Sequence, residues 1–193
     1  MVRRFCSRGL VVLVMALVLG LPVVAQGVEF DLDKFNHEAG LNFGYGKNYR
    51  NADVRLYSLL PHWGMFLIRP GKQMGPFGFS FLVEGTVSIA SAEQTGFELG
   101  IAPLFKLSCL VFPNVLAHVE GGAGLISEGI DSPAIAHSFN FTPQAGGGFD
   151  IALTPQMAFQ VAYRFRHSSN AGIYKENFGF NVHFFQAGLN YYY

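Results

Sequence analysis

The 193-residue sequence predicts an all-β fold: an eight-stranded antiparallel transmembrane β-barrel of the outer membrane. Three observations lead there. Apolar and polar residues alternate over eight separate runs, the period of a strand whose side chains point to opposite faces. Aromatic residues and glycine are abundant, with 20 Phe, 8 Tyr and 23 Gly, yet no stretch beyond the amino-terminal segment has the unbroken apolar length of a spanning helix. The chain also opens on a secretory leader. Export, glycine- and aromatic-rich alternation and no second apolar helix together describe an outer-membrane barrel.

The leader is legible residue by residue. Arg3, Arg4 and Arg8 form a basic start, residues 11–21 are apolar, and Val23 and Ala25 are the small residues expected before a cut at Gln26. The apolar core is too short for a membrane anchor. The expected organisation is therefore a signal peptide over 1–25 and a single barrel domain over 26–193. Basic and acidic residues number 13 each; the leader takes three arginines and no acid, which leaves a slightly acidic remainder. No basic tract invites nucleic acid. Cys109 is the one cysteine after the leader, so neither a disulfide nor a zinc site is expected, and the sequence implies no metal or cofactor.

The runs follow in order. The first sets Ala39, Leu41, Phe43 and Tyr45 against Glu38, Gly40, Asn42 and Gly44. The second sets Tyr57, Leu59, Trp63, Met65 and Leu67 against Ser58, His62 and Gly64, with Leu60 and Phe66 out of phase. The third (77–89) and fourth (97–109) carry Phe or aliphatic residues at nearly every odd position. The fifth (115–125), sixth (139–151) and seventh (159–165) keep the same phase, and the eighth runs from Phe185 to the terminal Tyr193. Each approaches the roughly 9–11 residues that a tilted strand needs to cross a bilayer.

A soluble barrel also alternates, but it turns its apolar face inward. Here the even face carries Glu84, Glu98, Lys106, His118, Glu120, Asp150, Arg164 and Arg166, which suits a polar interior and a lipid-facing exterior. Arg164 and Arg166 then point inward and are expected to pair with carboxylates such as Asp150 or Glu120. His37, His62, His118, His137 and His183 lack metal-ligand spacing and read as interior, loop or interfacial groups. Trp63 and the terminal tyrosines read as interfacial belt residues. Alternate connections are short or proline-bearing (70–76, 112–114, 154–156), while the others (47–53, 91–96, 128–137, 171–180) are more polar. That asymmetry fits periplasmic turns and outer loops. Eight strands enclose no channel, because side chains fill so narrow a barrel.

One segment carries chemistry. His167 and Ser169 lie two residues apart at the end of the seventh run, on the face of Phe159, Val161, Tyr163 and Phe165. A possible base and a possible nucleophile thus share an apolar surface rather than a cleft. With both termini periplasmic, that strand end lies at the outer leaflet, which points to a lipid substrate. The pair alone is weak evidence, since serine and histidine at a strand end are also ordinary interfacial residues. Asn170 and Gly172 suit a turn, because both tolerate left-handed backbone.

The stretch His167-Ser168-Ser169-Asn170-Ala171-Gly172-Ile173, followed by Glu176-Asn177-Phe178-Gly179 and a final strand with a terminal aromatic, resembles the lipid A 3-O-deacylases of the PagL type. Glu120-Gly121-Gly122-Ala123-Gly124 and Phe139-Asn140-Phe141-Thr142-Pro143-Gln144-Ala145-Gly146 resemble that family's fifth and sixth strands more loosely. The resemblance implies an integral outer-membrane esterase that removes the ester-linked 3-hydroxyacyl chain at the 3-position of lipid A, with lipopolysaccharide as its partner, as a monomer or homodimer. It implies Ser169 as nucleophile, His167 as base, and Asn177 with the Gly172 backbone at the oxyanion. Asn170 and Lys175 are candidate substrate contacts, and Arg50 and Arg55 sit near the same rim. The family's histidine-orienting glutamate is here Asn181, which strand phase puts on the outward face with His183 and Phe185. Glu176, the nearest acid, is out of phase. An amide holds an imidazole in one tautomer but does not stabilise its cation, so the second reading is an inactive structural or lipid-binding barrel.

Overall fold

The computed structural model describes residues 27–48, 53–71, 75–92, 95–130, 138–175 and 179–193; the expected leader, His137, Arg50, Glu176 and Asn177 lie outside them. Eight strands form one closed antiparallel barrel in sequence order, β1 closing on β8. They are β1 His37–Lys47, β2 Arg55–Ile68, β3 Phe77–Ser91, β4 Thr95–Phe112, β5 Val115–Gly129, β6 Phe139–Thr154, β7 Met157–Ser168 and β8 Phe180–Tyr192. All eight predicted runs are strands, and all extend beyond the alternating core that marks them; β8 begins five residues before its run, at Phe180, and ends one short of it, at Tyr192.

Burial follows the predicted phase. Phe43 (63 %), Phe97 (63 %) and Phe185 (62 %) stand exposed on the outside, whereas Glu84 (2 %), Lys106 (1 %) and Asp150 (0 %) are enclosed. This inside-out pattern is stable only where lipid covers the outer face. Trp63 donates from Nε1 to the Tyr193 hydroxyl at 3.0 Å and stacks on His37, forming an aromatic girdle beside the chain termini. Tyr192 is not part of that girdle; it is buried in the lumen.

The lumen is layered rather than uniformly polar. At its centre Lys106 pairs with Glu38, and Arg164 bridges Glu84 and Glu120 (Nη2 to Glu120 Oε1, 2.5 Å; Nη2 to Glu84 Oε2, 2.9 Å). Arg166 pairs with Glu98 at 2.6 Å. Of the two carboxylates expected for the arginines, Glu120 is the one met, by Arg164, whereas Asp150 accepts from His118 Nδ1 (3.0 Å), Gln160 Nε2 (3.1 Å) and Asn190 Nδ2 (2.7 Å) and carries no arginine. Strand phase fixes the face of a residue but not which group it meets across the lumen.

Apolar plugs close both ends. Near the termini, Leu32, Leu116, Ala158 and Tyr192 pack with Phe30, Phe35, Phe66 and Leu110. The segment before β1 folds over this end: the Phe30 N–H donates to Pro113 O (2.9 Å) and the Asp31 N–H to Pro155 O (3.2 Å), binding it to two of the short turns. The out-of-phase residues of β2 belong here and nearby. Leu60 is buried inward, and Phe66 stacks on Tyr192 where the β2–β3 register shifts between Phe66 and Ile68. At the opposite end Val54, Leu56, Ala90, Ile130, Phe180, Val182 and Phe184 form a second plug. Behind the end of β7 the lumen is thus solid, and outward residues there rest on a rigid wall.

Candidate active site

The end of β7 is anchored on both of its faces. Ser168 points inward, and its Oγ donates to Glu128 Oε1 of β5 at 2.6 Å; Asn140 Nδ2 of β6 donates to the other Glu128 oxygen at 2.8 Å. One residue on, Ser169 exchanges both backbone hydrogen bonds with Phe141 (2.8 and 3.1 Å). His167 and Ser169, on either side of the Ser168 latch, are both half-buried and share the outward phase.

His167 is directly opposite Asn181 in the β7–β8 ladder, and His167 Nδ1 lies 2.7 Å from Asn181 Oδ1. The predicted juxtaposition is present. An amide oxygen only accepts, so Nδ1 carries the hydrogen, and in the neutral imidazole Nε2 keeps its lone pair. Gly179 forms the other wall of the imidazole. It sits at φ +70°, and a Cβ there would stand 2.8 Å from His167 Cε1 and 3.3 Å from Nε2. Only glycine allows both the backbone angle and the close approach.

The loop after Ser169 opens with a tight turn. Asn170 Oδ1 accepts from the Gly172 N–H (2.9 Å), and Asn170 O accepts from the Ile173 N–H (3.1 Å). The left-handed residues are Ala171 (φ 55°) and Gly172 (φ 81°), with Asn170 as the buried anchor rather than a left-handed member. Two expectations change. Gly172 gives its N–H to Asn170, so the oxyanion contact expected of it is occupied. Asn170 has its side chain spent on the turn and buried, which suits it poorly to a substrate contact. Lys175 is exposed beyond the turn, as a rim contact requires.

Three neighbours escaped the sequence. The Glu128 latch reaches across two strands, and no spacing signals it. Gly179 belongs to the stretch that carries the family resemblance, and its positive φ is the physical reason for a glycine there. Tyr163 Oη lies 2.6 Å from His183 Nδ1 on the outer face, one step along the ladder from Asn181; the shared phase of the two strands was the available signal. Among the described residues no cluster of His, Cys, Asp and Glu is arranged to hold a metal ion.

Known proteins share this barrel. The crystal structure of the outer-membrane enzyme PagL matches with a TM-score of 0.62 at 17% identity, covering 79% of this chain and 99% of that one. Neisserial surface protein A matches at 0.55 and 13% identity (82% and 97% covered), and the attachment invasion locus protein Ail of Yersinia pestis at 0.53 and 12% (82% and 97%). At such identities the likeness is one of fold. No curated protein sequence matches the chain. The family model for lipid A 3-O-deacylase (PagL) matches residues 71–190, more than half the chain and all strands from β3 to β7. With this match beside the barrel, the protein is an integral outer-membrane barrel and belongs to the lipid A 3-O-deacylase (PagL) family.

Proposed function

We propose that this barrel is a serine esterase that removes the 3-hydroxyacyl chain from the 3-position of lipid A in the outer leaflet. The observation that carries the reading is the His167 Nδ1–Asn181 Oδ1 bond, on the outward face that also bears Ser169. It leaves Nε2 as the basic nitrogen of an imidazole braced by Gly179.

The chemistry follows from that tautomer. Ser169 Oγ attacks the ester carbonyl while Nε2 of His167 takes its proton. The imidazolium returns the proton to the departing sugar oxygen, leaving an acyl-serine. Water then gives a proton to Nε2 and attacks the acyl carbon; Ser169 Oγ leaves and is reprotonated, freeing the 3-hydroxy fatty acid. Asn177, by family resemblance, donates to the oxyanion. Asn181 orients the imidazole without neutralising its positive charge, so turnover is slower than with a carboxylate there. Lys175 and Arg55, exposed or half-exposed at the same end, suit the substrate's phosphates.

The test is the mass of lipid A from cells producing the protein. Loss of one hydroxyacyl chain, abolished in Ser169→Ala and His167→Ala, supports the esterase. Identical lipid A from wild type and Ser169→Ala, with both barrels folded in the membrane, leaves the second reading, a lipid-binding barrel; the amide at position 181 is the observation that favours it.

A further inference from the structure

The ladder between β6 and β7 has a gap, and it lies at the candidate site. Pairing runs without a break from Ala152–Ala158 to Gln144–Arg166, then resumes only at the single bridge Phe141–Ser169. The same register sets Pro143 opposite His167. Phe141 and Ser169 exchange both backbone bonds, and in an antiparallel ladder such pairs recur at every second residue. Pro143–His167 is the next of them, and proline has no N–H to give. Of the two bonds this pair would exchange, the one to the His167 carbonyl is therefore missing.

A side-chain clamp spans the gap. Glu128 of β5 is buried, and its two oxygens serve different strands. Oε1 accepts from Ser168 Oγ of β7 at 2.6 Å, and Oε2 accepts from Asn140 Nδ2 of β6 at 2.8 Å. Ser168 precedes Ser169 and Asn140 precedes Phe141, so one carboxylate holds both partners of the bridge through their chain neighbours. Glu128 is itself tied down, its backbone N–H donating to Ser138 O at 2.7 Å. Ser168 also lies between His167 and Ser169. Side chains alternate along a strand, so holding Ser168 inward holds both neighbours outward. The apolar plug of Val54, Phe180, Val182 and Phe184 already fills this end of the lumen, and a buried carboxylate is a costly way to add stability to it.

We propose that Glu128 is a positioning residue: by clamping Ser168 and Asn140 across the ladder gap, it holds His167 and Ser169 at the spacing that proton transfer requires. It acts through Ser168 and touches none of the reacting atoms. The inference rests on the esterase reading and adds to it a group from the inner face of the barrel. A misplacement of about 1 Å between reacting groups is enough to cost about a hundredfold in rate.

The experiment measures lipid A deacylation by the full protein in detergent micelles, per folded barrel, with kcat and KM separated. Ser168→Ala and Glu128→Ala each lower kcat about ten- to a hundredfold and leave KM within about twofold, because the outer surface is untouched. The double variant is no slower than Glu128→Ala, since Ser168 acts through the same carboxylate. Glu128→Gln keeps an acceptor for Ser168 once Asn140 turns its amide, and recovers most of kcat. Arg164→Met, an inner-face change on the same strand, keeps its kcat, so lost stability alone does not reproduce the effect. Wild-type kcat in both Ser168→Ala and Glu128→Ala, or an equal fall in Arg164→Met, overturns the inference and leaves the esterase reading standing. If the wild type cuts no lipid A, the esterase reading fails, and NMR of the histidine side chains decides the positioning. The Nδ1–H of His167, bonded to Asn181, exchanges with water at least about tenfold faster in Glu128→Ala if the clamp holds the imidazole in place; an unchanged exchange rate overturns the inference.

Discussion

Two sets of polar groups sit in low-dielectric surroundings here, and they are held very differently. Inside, Arg164 is bonded to Glu84 and Glu120 at once, and Asp150 accepts from three partners. These groups are sealed between apolar plugs. Outside, the half-buried His167 is held by the Asn181 bond and the bare face of Gly179. The interior uses polarity to fix one packing, and its charged groups are ion-paired or hydrogen-bonded to neighbours. The outer pair is oriented without being neutralised, which is what reactivity requires. On the proposed reading, stability and chemistry are thus divided between the two faces of the same strand, β7.

The comparison can be broken most severely at Ser169. On the esterase reading Ser169→Ala lowers deacylation by about a thousandfold or more, because the proposed nucleophile and base act as a unit. Its urea-unfolding midpoint stays at the wild-type value; a large shift there would mean that the outer face also carries stability. Arg164→Met does the reverse. It strands Glu84 and Glu120 and costs about 3–5 kcal/mol in the same unfolding measurement, while deacylation per folded barrel is retained. Adding Glu84→Gln and Glu120→Gln recovers most of that loss.

Gly179→Ala probes the wall of the imidazole. The fold accommodates a Cβ by moving His167, so kcat falls about ten- to a hundredfold, with about 1–2 kcal/mol of left-handed strain. Gly75→Ala, at φ +62° with nothing within 4 Å of its would-be Cβ, shows the strain without the kinetic loss. Asn181→Glu has the smallest effect: it keeps activity or raises it up to about tenfold, as the carboxylate stabilises the imidazolium. A folded Asn181→Glu barrel with its activity abolished would contradict the pairing of residue 181 with His167 in the reaction.

Legibility followed the alternation. From β3 to β7 the charged residues keep to the inner face with only a few large apolar ones among them (Leu82, Leu104, Leu116 and Ile126), and phase alone marked each strand and its lipid side. In β2 and the first half of β8, Leu60, Phe66, Phe180, Val182 and Phe184 are apolar yet point inward, so both faces look alike and the period fades. The segment over Leu32 has no period at all, since it is a plug rather than a strand. At the site, phase brought His167 opposite Asn181, but it did not reveal that the Gly172 N–H is taken by Asn170 or that Ser168 is latched to Glu128.

By itself the sequence determined the number of strands, their order, the face given to lipid and the residues sharing the outer end of β7 and β8. A strand's two-residue period and its antiparallel neighbours are local properties, so they are written along the chain. Only the closed barrel decided which charges meet across the lumen and how both ends are plugged. Those depend on curvature and on residues far apart along the chain, 80 positions in Arg164–Glu84, and no local pattern encodes that distance.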